Sequence, residues 1–174
     1  MNEQAGLERY IRDVPDFPVP GILYRDITPL LADSNALRRA VASMSAPWRD
    51  RGVDLVASME ARGFIFGAGI ALALKAGFVP VRKAGKLPWR TREVRYTLEY
   101  GSDVLHMHED AVAVGRKVLV VDDLIATGGT ASAVVDLVEQ LGGEVVGVQF
   151  LIELSDLKGR DLLRGRDVRS VIIY

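Results

Sequence analysis

The run Lys117-Val118-Leu119-Val120-Val121 leads directly into Asp122-Asp123 and then Leu124-Ile125-Ala126-Thr127-Gly128-Gly129-Thr130, and no other segment constrains the fold as tightly. Side chains of a strand alternate between its two faces, so an unbroken apolar run requires cover on both. That is the situation of a strand inside a parallel sheet with helices on either side. The helix that follows is legible in Ala131, Val134, Val135, Leu137, Val138 and Leu141, which recur at helical spacing until Gly142-Gly143 ends it. The two acids and the glycine turn therefore fall at the carboxyl end of a buried strand, where open α/β sheets bind ligands.

The rest of the chain repeats the pattern. Residues 54–58 and 78–82 read as short strands, with a helix from about 64 to 75 between them that stops at Gly77. Segments 145–152 and 168–173 read as two further strands. Strands alternating with helices predict an α/β fold with a mostly parallel central sheet flanked by helices. A helix carrying Leu37, Ala40, Val41 and Met44 on one face is expected to be capped by Ser34 or Asn35 and closed by Pro47. Upstream, Leu7, Tyr10, Ile11 and Val14 predict a helix over 3–14. Pro15, Pro18, Pro20 and Gly21 then predict an irregular surface loop, a hood over a ligand. In 83–110, Arg95, Thr97 and Glu99 alternate with Val94, Tyr96, Leu98 and Tyr100, a turn follows at Gly101-Ser102, and 104–108 returns. This predicts a two-stranded excursion from the sheet, of the kind that closes over a ligand as a flexible lid. With 174 residues, 49% of them hydrophobic, the expectation is one domain over 1–174, with the hood at about 1–33 and the lid at about 83–110.

Charge and composition narrow the partners. Twenty-two basic residues against 23 acidic leave a formal charge of −1, so no strong field draws the chain to nucleic acid or to an anionic membrane. An anionic ligand must then be held by locally concentrated positive charge. The absence of cysteine excludes disulfides, thiolate metal sites and a cysteine nucleophile. The polar start MNEQAGLERYIRDV lacks a signal-peptide core, and the apolar stretch 63–74 is shorter than a membrane span, so a cytoplasmic protein is expected.

The 120–130 segment suits a phosphorylated sugar. Glycines let backbone N–H groups turn inward around a phosphate, the hydroxyls of Thr127 and Thr130 add donors, and the positive end of the following helix supports the charge. Asp122 and Asp123 are placed to accept hydrogen bonds from vicinal ribose hydroxyls. A nucleotide reading of the Walker type fails because no GxxxxGK[ST] occurs, and Gly67-Ala68-Gly69 lacks the third glycine of a dinucleotide fingerprint, Leu72 standing in its place. Those two glycines read as close packing inside a helix. His106 and His108 share one strand face without a third metal ligand nearby.

The whole run Val120–Thr130 resembles the phosphoribosyl-diphosphate (PRPP) motif of the type I phosphoribosyltransferases: apolar strand, two acids, two variable residues, Thr/Gly loop. Further segments, Phe17-Pro18-Val19-Pro20-Gly21-Ile22-Leu23-Tyr24-Arg25-Asp26-Ile27, Glu60-Ala61-Arg62-Gly63-Phe64, Arg82-Lys83-Ala84-Gly85-Lys86-Leu87-Pro88 and Leu98-Glu99-Tyr100-Gly101, resemble the adenine phosphoribosyltransferases. So does Glu153-Leu154-Ser155-Asp156-Leu157-Lys158-Gly159-Arg160. The resemblance implies the type I phosphoribosyltransferase fold and transfer of a phosphoribosyl group from PRPP, which carries Mg²⁺, to adenine. It implies a 5-phosphate loop at Ala126, Thr127, Gly128, Gly129 and Thr130, ribose contacts at Asp122 and Asp123, and pyrophosphate contacts at Ala61, Arg62, Arg82, Lys83 and Lys86. It also implies an adenine site at Leu23, Tyr24, Arg25, Leu124 and Ile125, a proton-handling Glu99, and a homodimer in which Arg82 and Lys83 reach the neighbouring subunit's site. Trp89-Arg90-Thr91-Arg92 departs from the small residues usual in that family at the lid. Two rival readings remain at this point: an enzyme for a 6-oxopurine, and a PRPP-binding regulator without catalysis.

Overall fold

The computed structural model of the chain describes residues 6–97 and 102–174. A single 3-10 turn, Glu8–Tyr10, leads into strand β1 (Arg12–Pro15), which pairs antiparallel with β2 (Leu23–Asp26). The sequence spacing over 3–14 had predicted a helix. A helix that short does not repay its nucleation, and pairing with β2 gives the backbone of 12–15 its partners instead. The hood is accordingly a hairpin and not an irregular loop. Its prolines are compatible with that: Pro15 ends β1, and Pro18 and Pro20 lie in the connection, where no strand N–H is required. The connection is tied by the Gly21 N–H, which donates to Asp16 Oδ1 at 2.7 Å.

Helices α1 (Thr28–Ala32) and α2 (Ser34–Ser45) follow. The cap of α2 is Asp33, whose Oδ1 accepts from the Ala36 N–H at 2.8 Å, one residue before the expected Ser34 or Asn35. All three are cap-forming types, and the choice among them is made by where the chain turns out of α1. Next come β3 (Leu55–Met59), α3 (Arg62–Leu74), β4 (Gly77–Lys83), β5 (Thr91–Thr97), β6 (Ser102–His108), β7 (Lys117–Ile125), α4 (Gly129–Gln140), β8 (Glu144–Glu153) and β9 (Val168–Ile173).

The main sheet runs β5-β6-β4-β3-β7-β8-β9. Strands β4, β3, β7, β8 and β9 are parallel, the arrangement expected of an α/β fold. The expected pair of lid strands is present, but it continues the sheet rather than leaving it: β6 pairs antiparallel with β4 through Arg82↔His106 and Lys83↔Leu105, and β5 forms the edge. The free edge groups of a β4 that extends to Lys83 provide the template for that addition.

The apolar run of β7 divides as its alternation requires. Val118 and Val120 enter a core with Leu105, Val134, Leu137 and Phe150, under α4. Leu119 and Val121 enter a second core with Leu7, Trp48, Phe66 and Ile70, under α2 and α3. Gly67 and Gly69 serve that second layer, because a Cβ at 67 would meet Ser58 Cβ at 2.6 Å and one at 69 would meet Val41 at 3.0 Å. No helix among the described residues is long and apolar enough to cross a membrane.

Candidate active site

The chain leaves β3 for β4 on one side and later returns to β7 on the other, so the crevice at the carboxyl ends of β3 and β7 is the topological switch point of the sheet. The two strands are registered through Ser58↔Val121, and the Ser58 hydroxyl donates to the Val121 carbonyl at 2.7 Å. Immediately beyond that pair lie Glu60-Ala61-Arg62 on one strand and Asp122 to Thr130 on the other. A cavity of about 170 Å³ opens there. It brings together Arg62 with Asp122, Asp123, Leu124, Ile125, Ala126, Thr127, Gly128 and Thr130.

Strand β7 runs through both acids to Ile125, and the loop then turns at Gly128, whose φ of 84° lies in the left-handed region. A Cβ at 128 would also strike the Gly159 carbonyl oxygen, so the loop is clamped against the chain that follows β8. Gly128 is the N-cap of α4 and has no side chain with which to cap it. The first-turn N–H groups of such a helix have no intrahelical acceptor, and the helix dipole favours an anion before them. The phenol of Tyr96 on β5, held above its ordinary pKa by burial, shares a hydrogen bond with the Thr130 side chain, which works against that rise. β5 is thereby tied to the first turn of α4.

The acid pair is sheltered. Asp122 Oδ1 accepts from the Asp123 N–H at 2.8 Å, and Gly63 is the space it needs, since a Cβ there would lie 2.6 Å from that oxygen. Burial pushes the Asp122 carboxyl well above the usual carboxylate range, and the Asp123 charge adds to the effect. Burial raises Asp123 too, against the opposing pull of Arg62. Arg62 Nε lies 2.9 Å from Asp123 Oδ2, yet that oxygen takes no aligned hydrogen bond from any described residue. The other end of the guanidinium donates from Nη1 to the Tyr24 hydroxyl, and its carbon sits 5.2 Å from the centre of the Tyr24 ring.

The remaining residues singled out by sequence are distributed differently. Arg82, Lys83 and Lys86 do not line this cavity. They converge on Glu60, whose carboxylate accepts from Arg82 Nε at 2.9 Å, from the Lys83 N–H at 2.9 Å and from Lys86 Nζ at 2.9 Å. Burial pushes the Glu60 carboxyl up, but these donors outweigh it and hold the group below its ordinary range. The Lys83 ammonium pairs with Asp103 at 2.7 Å. On β2 the alternation separates Tyr24, which faces Arg62, from Leu23 and Arg25, which line a second cavity of about 380 Å³ with Tyr174. Arg25 pairs with Asp13 and stacks on the Tyr174 ring at 3.7 Å. Ala61 is the exposed N-cap of α3. Glu99, together with Leu98, Tyr100 and Gly101, lies outside the described residues. His106 Nδ1 is 3.2 Å from the Thr91 hydroxyl, and the described residues contain no cluster of acids and histidines able to hold a metal ion.

Sequence reasoning missed Glu60 and Tyr96. No sequence signal marks Glu60, whose place follows from the pairing of β3 with β4: Met59↔Val81 puts the residue after β3 beside the basic run that ends β4. The signal for Tyr96 was its place among the apolar positions of β5, which set it on the covered face.

A phosphoribosyl transferase domain model matches residues 30–173. The adenine phosphoribosyltransferase of Thermotoga maritima is 56% identical over 168 residues, which cover 97% of this chain and 97% of that protein. That of Symbiobacterium thermophilum is 57% identical over 164 residues, covering 94% and 96%. Among solved structures, the adenine phosphoribosyltransferase of Rhodothermus marinus superposes with a TM-score of 0.94 at 49% identity, covering 99% of this chain and 98% of that one. The enzyme of Saccharomyces cerevisiae, crystallised with an imino-altritol bisphosphate and adenine, gives 0.91 at 38% identity, covering 97% and 98%. A type I fold, a family match over most of the chain and relatives of this identity lead to one conclusion: the chain belongs to the phosphoribosyltransferase family, and within it to the adenine phosphoribosyltransferases.

Proposed function

We propose that the chain transfers the 5-phosphoribosyl group of PRPP to adenine, releasing AMP and pyrophosphate. The observation that carries this reading is the crevice between β3 and β7, where a glycine-clamped helix N-terminus, two sheltered carboxylates and one guanidinium share a single cavity. Ala126, Thr127, Gly128, Gly129 and Thr130 hold the 5-phosphate through N–H groups and hydroxyls. Asp122 and Asp123 accept from the ribose hydroxyls. Adenine lies against the Tyr24 ring with Leu124 and Ile125 opposite, and the backbone N–H and C=O groups of Leu23 and Arg25 read its edge; the 6-amino group must donate and N1 must accept.

The bond from C1 to pyrophosphate breaks ahead of attack by the purine nitrogen, so positive charge develops on the ribose while negative charge leaves. The N–H at Ala61, the Arg62 guanidinium and the cations Arg82, Lys83 and Lys86 stabilise the departing anion. Mg²⁺ enters as part of the substrate, bound to PRPP. Glu99 manages the proton at N7 while N9 attacks. A homodimer in the cytoplasm completes the reading. The dimer is supported by α3, whose outward face exposes Ile65, Ala68 and Leu72, the last at 82%, in a helical stripe leading away from the Arg62 loop. In the dimer Arg82 and Lys83 serve the partner's site, in keeping with their position outside the cavity of their own chain.

Incubation with MgPRPP and adenine, hypoxanthine, guanine or xanthine singly tests the reading. AMP and pyrophosphate are expected from adenine alone; turnover of hypoxanthine without adenine would overturn it in favour of a 6-oxopurine enzyme.

A further inference from the structure

Arg62 has two partners of unlike kind. Its Nε faces Asp123 Oδ2 at 2.9 Å, and its Nη1 holds the hydroxyl of Tyr24, the ring face lying 5.2 Å away. The first partner is an acceptor that a ribose hydroxyl must reach, and the ion pair satisfies it incompletely, with no aligned donor from the described residues. The second partner belongs to the hood. Its ring is itself fixed, edge-on to Phe17 at 5.1 Å with the planes at 75°. Strand β2 is anchored on its other side by Arg25, which pairs with Asp13 and stacks on Tyr174. Tyr24 is thus a rigid post, and the carboxylate is the replaceable contact.

From this geometry we infer that the Tyr24 hydroxyl is a positioning group for Arg62: it retains the guanidinium at the crevice when ribose hydroxyls displace it from Asp123, so that the same cation turns to the departing pyrophosphate. The inference rests on the proposed function and assigns to Tyr24 a second task, separate from the wall its ring offers to adenine. A guanidinium is suited to this exchange because its planar fork carries five donors, so it keeps the phenol on one nitrogen while trading a carboxylate for a phosphate oxygen on the others. Without the phenol, Arg62 leaves Asp123 for solvent, and its rotamer freedom must be lost again each time pyrophosphate is gripped. The hood is thereby linked to PRPP recognition through one hydrogen bond that neither substrate makes.

The test compares the full-length chain with Tyr24→Phe, which keeps the ring, and Tyr24→Leu, which does not. Tyr24→Phe is expected to raise KM for PRPP about threefold to tenfold, the net worth of one ordinary hydrogen bond, since partial exposure removes the gain from the charge. KM for adenine should stay within about twofold, because the ring that carries adenine is unchanged. Tyr24→Leu is expected to raise both. In an Arg62→Met background, Tyr24→Phe should add nothing further to KM for PRPP, the mark of a group acting through Arg62. An unchanged KM for PRPP in Tyr24→Phe, or the same loss with Arg62 already removed, would overturn the inference. Failure of the wild-type chain to turn over adenine with PRPP would instead defeat the proposed function, and the two failures are read in the same assay.

Discussion

Gly128 bears two steric demands at once. Its φ of 84° disfavours any side chain, and the Gly159 carbonyl fills the space a Cβ would take. Gly128→Ala is expected to cost about 1–3 kcal/mol from the backbone conformation alone, and to abolish tight PRPP binding as the loop moves off Gly159. Denaturant melts paired with PRPP titration check both parts; wild-type affinity in a folded variant would remove Gly128 from the phosphate site. The neighbouring acids make a pH prediction. Burial raises both Asp122 and Asp123, so they gain protons at a pH above the ordinary aspartate range and lose acceptor capacity for ribose. PRPP affinity should therefore weaken on the acid side earlier than an unperturbed aspartate would dictate, and Arg62→Met should move that limb to still higher pH, since the guanidinium is what opposes burial at Asp123. An acid limb that Arg62→Met leaves in place would detach these carboxylates from binding. At Glu99, replacement by alanine is expected to lower kcat by about tenfold to ten-thousandfold, the range for a general acid–base group, with KM for PRPP little changed. Steady-state kinetics decide it, and unaltered kcat excludes the residue from proton transfer.

The joint between β8, β9 and the turn after β8 depends on one carboxylate. Glu153 accepts from Arg160 Nε at 2.6 Å and Nη2 at 2.7 Å, and from the Ser170 hydroxyl at 2.6 Å, while Arg160 also donates to the Val168 carbonyl at 2.7 Å. The Arg160 hydrogen bond holds the Glu153 carboxyl below its ordinary range against the effect of burial. A carboxyl whose folded pKa is depressed stabilises in full above its unfolded value, and that contribution disappears as pH falls through the folded value. Glu153→Gln should lose about 1–3 kcal/mol at neutral pH, discounted for the partly exposed Arg160, and the deficit should shrink in acid. Urea melts at neutral and acid pH supply the comparison; a deficit independent of pH would mean packing rather than charge. The same segment carries Gly159, against which the loop at Gly128 is clamped, so this element also braces the candidate site.

At the scale of the whole molecule, the proposed dimer makes a prediction of its own. The outward stripe of α3 runs from Ile65, one turn past Arg62, to Leu72 near the far end of the helix, so a second copy docked along it would reach the crevice through Ile65. Leu72→Glu places a charge in that face and is expected to convert the proposed dimer to a monomer in light scattering, with activity about tenfold lower or more at dilute protein. A variant of unchanged mass and activity would exclude this face. Much of the molecule was legible before folding was considered. The two-faced strand with its acids and Thr/Gly turn predicted a parallel sheet, because an apolar run must be covered on both faces, and the structure has that sheet with a cavity at the end of β7. What could not be read was anything that depends on which strands become neighbours. Glu60 meets Arg82 and Lys86 only because β4 lies beside β3, and Tyr96 meets Thr130 only because β5 packs over α4. Leu23 and Tyr24, adjacent in sequence, part company once β1 pairs β2 as an extended strand: Leu23 lines the cavity beside Tyr174, whereas Tyr24 meets Arg62. Local chemistry is written in the order of residues, whereas pairing across the sheet is settled by long-range burial, and that is where the tertiary structure alone decided which charges share the crevice.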